Sequence, residues 1–88
     1  IMLNYPKTVS EAVDILMHIM PEEELHKIKS SSEENLLFAH LGLGQFIRNN
    51  FGLWDENYEL MHDCGVSNED DASNVIVKAL WNKLRSND

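Results

Sequence analysis

The sequence has few of the residues that cross-link small domains or carry them into membranes. It contains one cysteine, Cys64, so no disulfide can form within the chain. A secreted domain of this size usually carries several disulfides, and the single cysteine therefore predicts a cytoplasmic protein. No apolar run approaches the ~20 residues of a membrane-spanning helix, and the first residues lack the basic and apolar regions of a signal peptide. We expect neither a membrane anchor nor a cleaved leader.

Basic residues are also scarce. The chain has 7 lysines and arginines against 15 acidic residues, which gives a formal net charge of −8. Proteins that bind nucleic acid or anionic lipid need clustered basic side chains, so the sequence predicts neither partner. An acidic surface favours a basic protein partner instead, because complementary potentials speed the encounter. The same charge can also serve solubility alone, and this alternative stays open.

Helical periodicity runs through most of the chain. Apolar residues recur at intervals of three and four, and no segment alternates with the period of a strand. Three long amphipathic stretches and two short ones can be distinguished in this way. They predict an all-α fold: a compact bundle of about three main helices plus two short helices, in a single helical domain of residues 1–88.

Capping patterns predict where these helices begin and end. A Ser or Thr followed three residues later by Glu forms a capping box, and short polar residues cap the other helices. Gly52 and Gly65 are expected to end helices in the left-handed conformation. The expected N-terminal caps are, in chain order, Thr8 with Glu11, Ser31 with Glu34, Asp55 or Asn57, and Ser67 or Asn68.

The second long helix, over residues 32–50, is the most apolar. Its hydrophobic positions cover more than half of its circumference, which predicts a central helix contacted on two sides. Gly42 and Gly44 each cost about 1 kcal/mol relative to alanine within a helix, so we expect a second helix to approach them closely. The apolar excess also fits a homodimer contact. The residues on this face are Leu36, Leu37, His40, Leu41, Leu43, Gly44, Ile47 and Phe51.

No motif for catalysis, metal binding or cofactor binding is present. The pair His62 and Cys64 lacks the further ligands that zinc needs. No serine or cysteine lies in a nucleophile motif, and the pair Gly42 and Gly44 follows no strand and lacks a third glycine. We therefore predict no catalytic residue, no metal and no cofactor. His40 is expected to be a core histidine bonded to a polar group, with a general base as the sharper alternative.

Polar and aromatic residues gather where the second long helix ends. Arg48 is one of two arginines, and arginine and tryptophan dominate the energetics of protein interfaces. Arg48 is expected to pair with one of two aspartates at the start of the last helix. The same residues also fit a purely structural role, in which the asparagines satisfy loop backbone. The candidate binding residues are Arg48, Asn49, Asn50, Trp54, Asp70 and Asp71.

Three sequence blocks resemble a bacterial family of small domains of unknown function. They are YPKT with EAV (residues 5–13), LGLG with IRNNFGLW (residues 41–54) and DDAS with VI and ALW (residues 70–81). The family commonly has proline before the two aspartates, where this chain has Glu69. The resemblance implies a small stand-alone domain and no established activity.

The function that fits these features best is an acidic protein-binding module. One form of it is an immunity or antitoxin-type inhibitor of a basic bacterial toxin, whose phosphate-binding site an acidic surface would mask. One alternative is a small ligand-binding or enzymatic domain with a pocket around His40, Arg48, Asn49 and Trp54. Another is a homo-oligomeric structural module.

Overall fold

The computed structural model describes residues 4–86 and contains no strand within them. The prediction of an all-α fold with three main and two short helices is confirmed. The elements are α1 (Val9–Ile19), α2 (Glu22–Ser30), α3 (Leu36–Ala39), a π-helical segment (His40–Gly44), α4 (Gln45–Asn50), α5 (Tyr58–Cys64) and α6 (Glu69–Ser86). Helix α3, the π-helical segment and α4 form one continuous helical stretch over residues 36–50, which we call the glycine helix. No helix of residues 4–86 is long and apolar enough to cross a membrane.

Side-chain caps start three of these helices. Thr8 Oγ1 accepts from the Glu11 amide at 3.1 Å, as predicted, while the Glu11 carboxylate accepts from the backbone of Lys7. Of the alternatives at α5 and α6, the structure selects the asparagines. Asn57 Oδ1 accepts from the Leu60 amide, and Asn68 Oδ1 accepts from the Asp71 amide.

The predicted capping box of Ser31 and Glu34 is wrong. Ser31 instead donates its hydroxyl to the Lys27 carbonyl at 2.7 Å and closes the end of α2. The neighbouring Ser32 accepts from the Asn35 amide at 3.2 Å. A turn at residues 33–35 follows, and the glycine helix begins at Leu36, four residues later than the sequence predicts.

The helix at the middle of the fold is α6. It contacts α1, α2, α5 and all three segments of the glycine helix. The expectation that the glycine helix lies at the centre is therefore wrong, because the glycine helix packs mainly against one helix, α6. The buried apolar core contains Ala12, Val13, Leu16, Ile28, Leu36, Ile47, Phe51, Leu53, Leu60, Ala72, Ile76, Val77 and Leu80.

The outer side of the glycine helix is exposed and apolar. Leu37, Phe38 and Leu41 are 69%, 72% and 76% exposed, and we call these three residues the apolar ridge. The two glycines differ accordingly. A Cβ at Gly44 would lie 3.5 Å from Ser73 Oγ on α6, which is the close approach that was predicted. A Cβ at Gly42 would meet nothing within 4 Å in the part of the chain that the structure describes, so the predicted close approach is wrong there.

The segment before α1 covers the loop that follows the glycine helix. Gly52 has φ +75°, and any side chain there would overlap the ring of Tyr5. The Tyr5 hydroxyl donates to Asp55 Oδ2 at 2.9 Å. Asn57 Nδ2 donates to the carbonyls of Pro6 and Phe51 at 2.8 and 2.7 Å. The loop carrying Trp54 is therefore fixed from both sides.

Candidate functional site

Arg48 joins the glycine helix to α6. Its Nη1 donates to Ser73 Oγ at 2.9 Å and lies 3.4 Å from Asp70 Oδ1. Ser73 is fully buried, and its hydroxyl in turn donates to the Asp70 carbonyl. Of the two aspartates considered, the structure selects Asp70, whereas Asp71 bonds Asn68 within the cap of α6. These contacts satisfy polar groups where the glycine helix packs against α6, and the Arg48 side chain stays 19% exposed.

His40 lies one helical turn from Gly44, beside this arginine. Its Nδ1 is buried and has no hydrogen-bond partner among residues 4–86, so the predicted polar partner is not found there. Burial and the nearby Arg48 guanidinium both lower the pKa of His40 below its usual 6.5. None of the four grooves found along residues 4–86 is lined by His40, Arg48 or Asn49. Trp54 borders one of these grooves without His40, Arg48 or Asn49.

The two asparagines at the end of α4 have different roles. Asn50 donates its side-chain amide to the Phe46 carbonyl at 2.8 Å and satisfies the helix end. Asn49 Oδ1 accepts from Trp54 Nε1 at 3.1 Å. This bond fixes the indole, although the Trp54 side chain stays 57% exposed. Of the six candidate binding residues, Asn49 and Trp54 form one pair and Arg48 and Asp70 another.

Trp54 borders a surface groove of about 350 Å³ between the loop, α5 and the start of α6. We call it the Trp54 groove. Tyr58, also in its wall, is 69% exposed. Among the described residues, the charged members of the lining are Glu56 and Glu69, both acidic. The lining residues between positions 4 and 86 are Leu53, Trp54, Glu56, Asn57, Tyr58, Met61, Val66, Ser67 and Glu69.

Several residues of this groove were missed from the sequence. Tyr58, Glu56 and Glu69 are not among the candidate binding residues that the sequence indicates. A usable signal was present, because Trp54 and Tyr58 are four residues apart with acidic residues between them. The contribution of Glu69 has no local signal, since it reaches the groove only through the packing of α6 beside α5.

Comparison with protein families matches residues 5–84 to a domain of unknown function, DUF6794. The chain belongs to the DUF6794 family. This agrees with the resemblance to a small domain of unknown function and covers all three sequence blocks. No curated protein and no solved structure matches the chain.

A second concave surface of this DUF6794 domain lies beside the apolar ridge. Two adjoining hollows of about 430 and 350 Å³ separate the glycine helix from the end of α1 and from α2. We call them together the Gly42 groove. Both are lined by Met20, Glu24, Gly42 and Leu43. The rest of the lining is Ile19, Pro21, Lys27, Ile28, Ser31, Asn35, Phe38, Ala39 and Phe46.

The described residues form no group of three or more potential ligands that could hold a metal ion. The lone thiol is equally unsuited to nucleophilic chemistry. Burial and, to a smaller extent, Asp63 raise the pKa of Cys64 to about 11. Its Sγ lies 3.7 Å from the Ala72 carbonyl. The thiol is therefore protonated at neutral pH and packs as a small apolar side chain.

Proposed function

We propose that this domain binds a partner protein by accepting an arginine or lysine side chain of that partner in the Trp54 groove. The observation that carries the proposal is the state of Trp54. Its ring is more than half exposed, its Nε1 is held by Asn49, and the charges beside it are carboxylates only. An aromatic ring fixed beside carboxylates suits a cationic side chain better than a neutral or anionic one.

The ring supplies the first part of the recognition. A guanidinium or ammonium group over the face of an indole is attracted by the ring quadrupole, and tryptophan is the best aromatic residue for this contact. Because the bond to Asn49 already fixes the indole, little side-chain freedom is lost on binding. Tyr58 offers a second exposed aromatic side chain along the same wall.

The carboxylates supply the second part. Glu56 and Glu69 line the groove and can each accept hydrogen bonds from a guanidinium, which forms stronger bonds to carboxylates than to neutral acceptors. The net charge of −8 adds a field that draws a basic partner toward the whole surface. The field accelerates encounter, whereas the groove selects the side chain that is bound.

The physiological form that we favour is an immunity or antitoxin-type inhibitor of a basic bacterial toxin. The support is the acidic character of the domain and the suitability of its groove for an arginine or lysine from a phosphate-binding site. The single cysteine favours action in the cytoplasm. Both points are expectations from charge and composition.

An NMR titration tests the proposal on the purified domain. The probe is a short arginine-containing peptide, and the control is the same peptide with citrulline, which keeps the shape of arginine and removes its charge. We expect the arginine peptide to shift the indole N–H resonance of Trp54 and the backbone resonances of residues 53–69. The shifts are expected to shrink as salt is added, because the contact is electrostatic.

The variant Trp54→Ala is expected to abolish the shifts of the backbone resonances of residues 53–69 without unfolding the domain, because the ring is largely exposed. The resonance of Trp81, whose Nε1 donates to the Ser31 carbonyl away from the groove, serves as an internal reference. Equal shifts with the arginine and citrulline peptides, or shifts spread over the whole acidic surface, would contradict the proposal.

A further inference from the structure

The ridge and the groove on the outer side of the glycine helix lie next to each other. Leu37, Phe38 and Leu41 protrude, and Phe38 also lines the Gly42 groove. Large exposed apolar patches are uncommon on monomeric proteins and mark interaction surfaces. We infer that this side of the domain is a two-fold interface with a second copy of the same chain, the apolar ridge of each copy entering the Gly42 groove of the other.

The space around Gly42 supports the assignment of this side to a dimer interface. A helical glycine is usually explained by a close neighbour within the molecule, but nothing within 4 Å surrounds the position of its missing Cβ. The absent side chain instead deepens both hollows of the groove. A second helix that approaches from outside is therefore the packing partner that the glycine allows.

The exposed apolar area has the size that a dimer needs. Together, the exposed fractions on this side amount to roughly three whole side chains, on the order of 500 Å². A standard interface buries about 800 Å² per partner, and homodimer interfaces are about 65% apolar, which corresponds to about 500 Å². The exposures are 51% for Ile19, 69% for Leu37, 72% for Phe38, 76% for Leu41 and 39% for Phe46.

Charge favours a second copy over a basic partner at this surface. The ridge is uncharged, and the two charged residues of the groove, Glu24 and Lys27, form an ion pair of 3.3 Å with each other. The Gly42 groove therefore lacks the one-sided charge of the Trp54 groove. A two-fold contact also requires one surface that holds both a projection and its matching hollow, and the ridge and groove meet this requirement.

Sedimentation velocity of the purified domain tests the inference, from low micromolar to millimolar concentration. We expect a monomer–dimer equilibrium that strengthens as salt is added, because each copy carries a charge of −8 and screening weakens their repulsion. This salt dependence is opposite to that expected for arginine peptides in the Trp54 groove, so the two proposals can fail separately. A domain that stays monomeric throughout, including at high salt, would overturn the inference.

Two variants locate the interface. Leu41→Glu places a charge on the ridge, and Gly42→Leu fills the groove; both are expected to weaken dimerisation at least about tenfold. Asn82→Glu is the matched control, because it adds the same charge at an exposed position of α6 that lines neither groove and should leave the equilibrium close to that of the wild type. If Leu41→Glu dimerises as strongly as the wild type, the assignment is wrong even if Gly42→Leu proves unstable.

Discussion

Arg48 shows how one side chain can connect two helices. Its guanidinium is mostly buried and bonds the hydroxyl of Ser73, which is fully buried on α6. Hydrogen bonds to charged groups are worth roughly 1.5–3 kcal/mol, and their loss leaves a buried acceptor unsatisfied. We therefore expect Arg48→Ala to lower the free energy of unfolding by about 2 kcal/mol, measured by urea denaturation.

Asp70, the carboxylate partner of Arg48, should contribute less to the free energy of unfolding. Asp70 is 78% exposed, and exposed ion pairs contribute about 0–1 kcal/mol. Asp70→Asn is thus the control that separates the hydrogen bond to Ser73 from the ion pair. A larger loss for Asp70→Asn than for Arg48→Ala would show that the ion pair, and not the buried bond, connects the helices.

His40 makes the stability of the domain depend on pH. Burial and Arg48 lower the pKa of its imidazole in the folded state, so the unfolded chain binds the proton more tightly. The free energy of unfolding is therefore expected to be highest above the unfolded pKa of about 6.5 and to fall as the pH drops through that value. His40→Gln should flatten this part of the profile, because it removes the imidazole whose pKa is lowered. Thermal melts across this pH range provide the measurement.

At the level of helices, the two glycines of the π-helical segment make a matched pair. Gly42→Ala is expected to raise the free energy of unfolding by roughly 0.5–1 kcal/mol, because it removes a flexible residue and meets no neighbour. Gly44→Ala would place Cβ 3.1 Å from Arg48 Nη1, which Ser73 holds in place. An overpacking cost of roughly 1–3 kcal/mol should exceed the gain in helix propensity of ~1 kcal/mol and destabilise the domain. Equal effects of the two substitutions would mean that Arg48 moves freely.

The presence of the helices and several of their ends can be predicted from the sequence, because they depend on residues that lie close together in the chain. The cap of α1 by Thr8 needs only residues within one turn, and the fold class needs only the spacing of apolar residues. The packing of the glycine helix does not follow in this way. Its apolar face is wider than α6 can cover, and no local pattern distinguishes a buried leucine from the exposed Leu41. The π-helical segment likewise carries no signal in the sequence.

The candidate site could be predicted in part, because some of its contacts also join residues that lie close together in the chain. Trp54 and Asn49 lie five residues apart, and their bond depends on one helix end. Arg48 was correctly joined to the start of α6, where it pairs with Asp70. The groove itself was not predictable, because Glu69 enters it from a different helix.

The whole molecule presents two surfaces of opposite character. The Trp54 groove has acidic charges and exposed aromatic rings, whereas the ridge and the Gly42 groove are apolar and neutral. Added salt is expected to weaken the first contact and strengthen the second. The two surfaces have no residue in common, so a dimer formed through the Gly42 groove uses none of the residues that line the Trp54 groove.

On our proposal the Trp54 groove, and not the overall acidity of the domain, recognises a cationic side chain. Calorimetric titration of an arginine-containing peptide into Glu69→Gln and Glu23→Gln tests it directly, because both variants lose one negative charge and only Glu69 lines the groove. We predict that Glu69→Gln weakens binding about fivefold, as expected from roughly 1 kcal/mol for a partly exposed charge pair, while Glu23→Gln binds as the wild type does. Equal weakening in the two variants would mean that the overall charge, and not the Trp54 groove, binds the peptide.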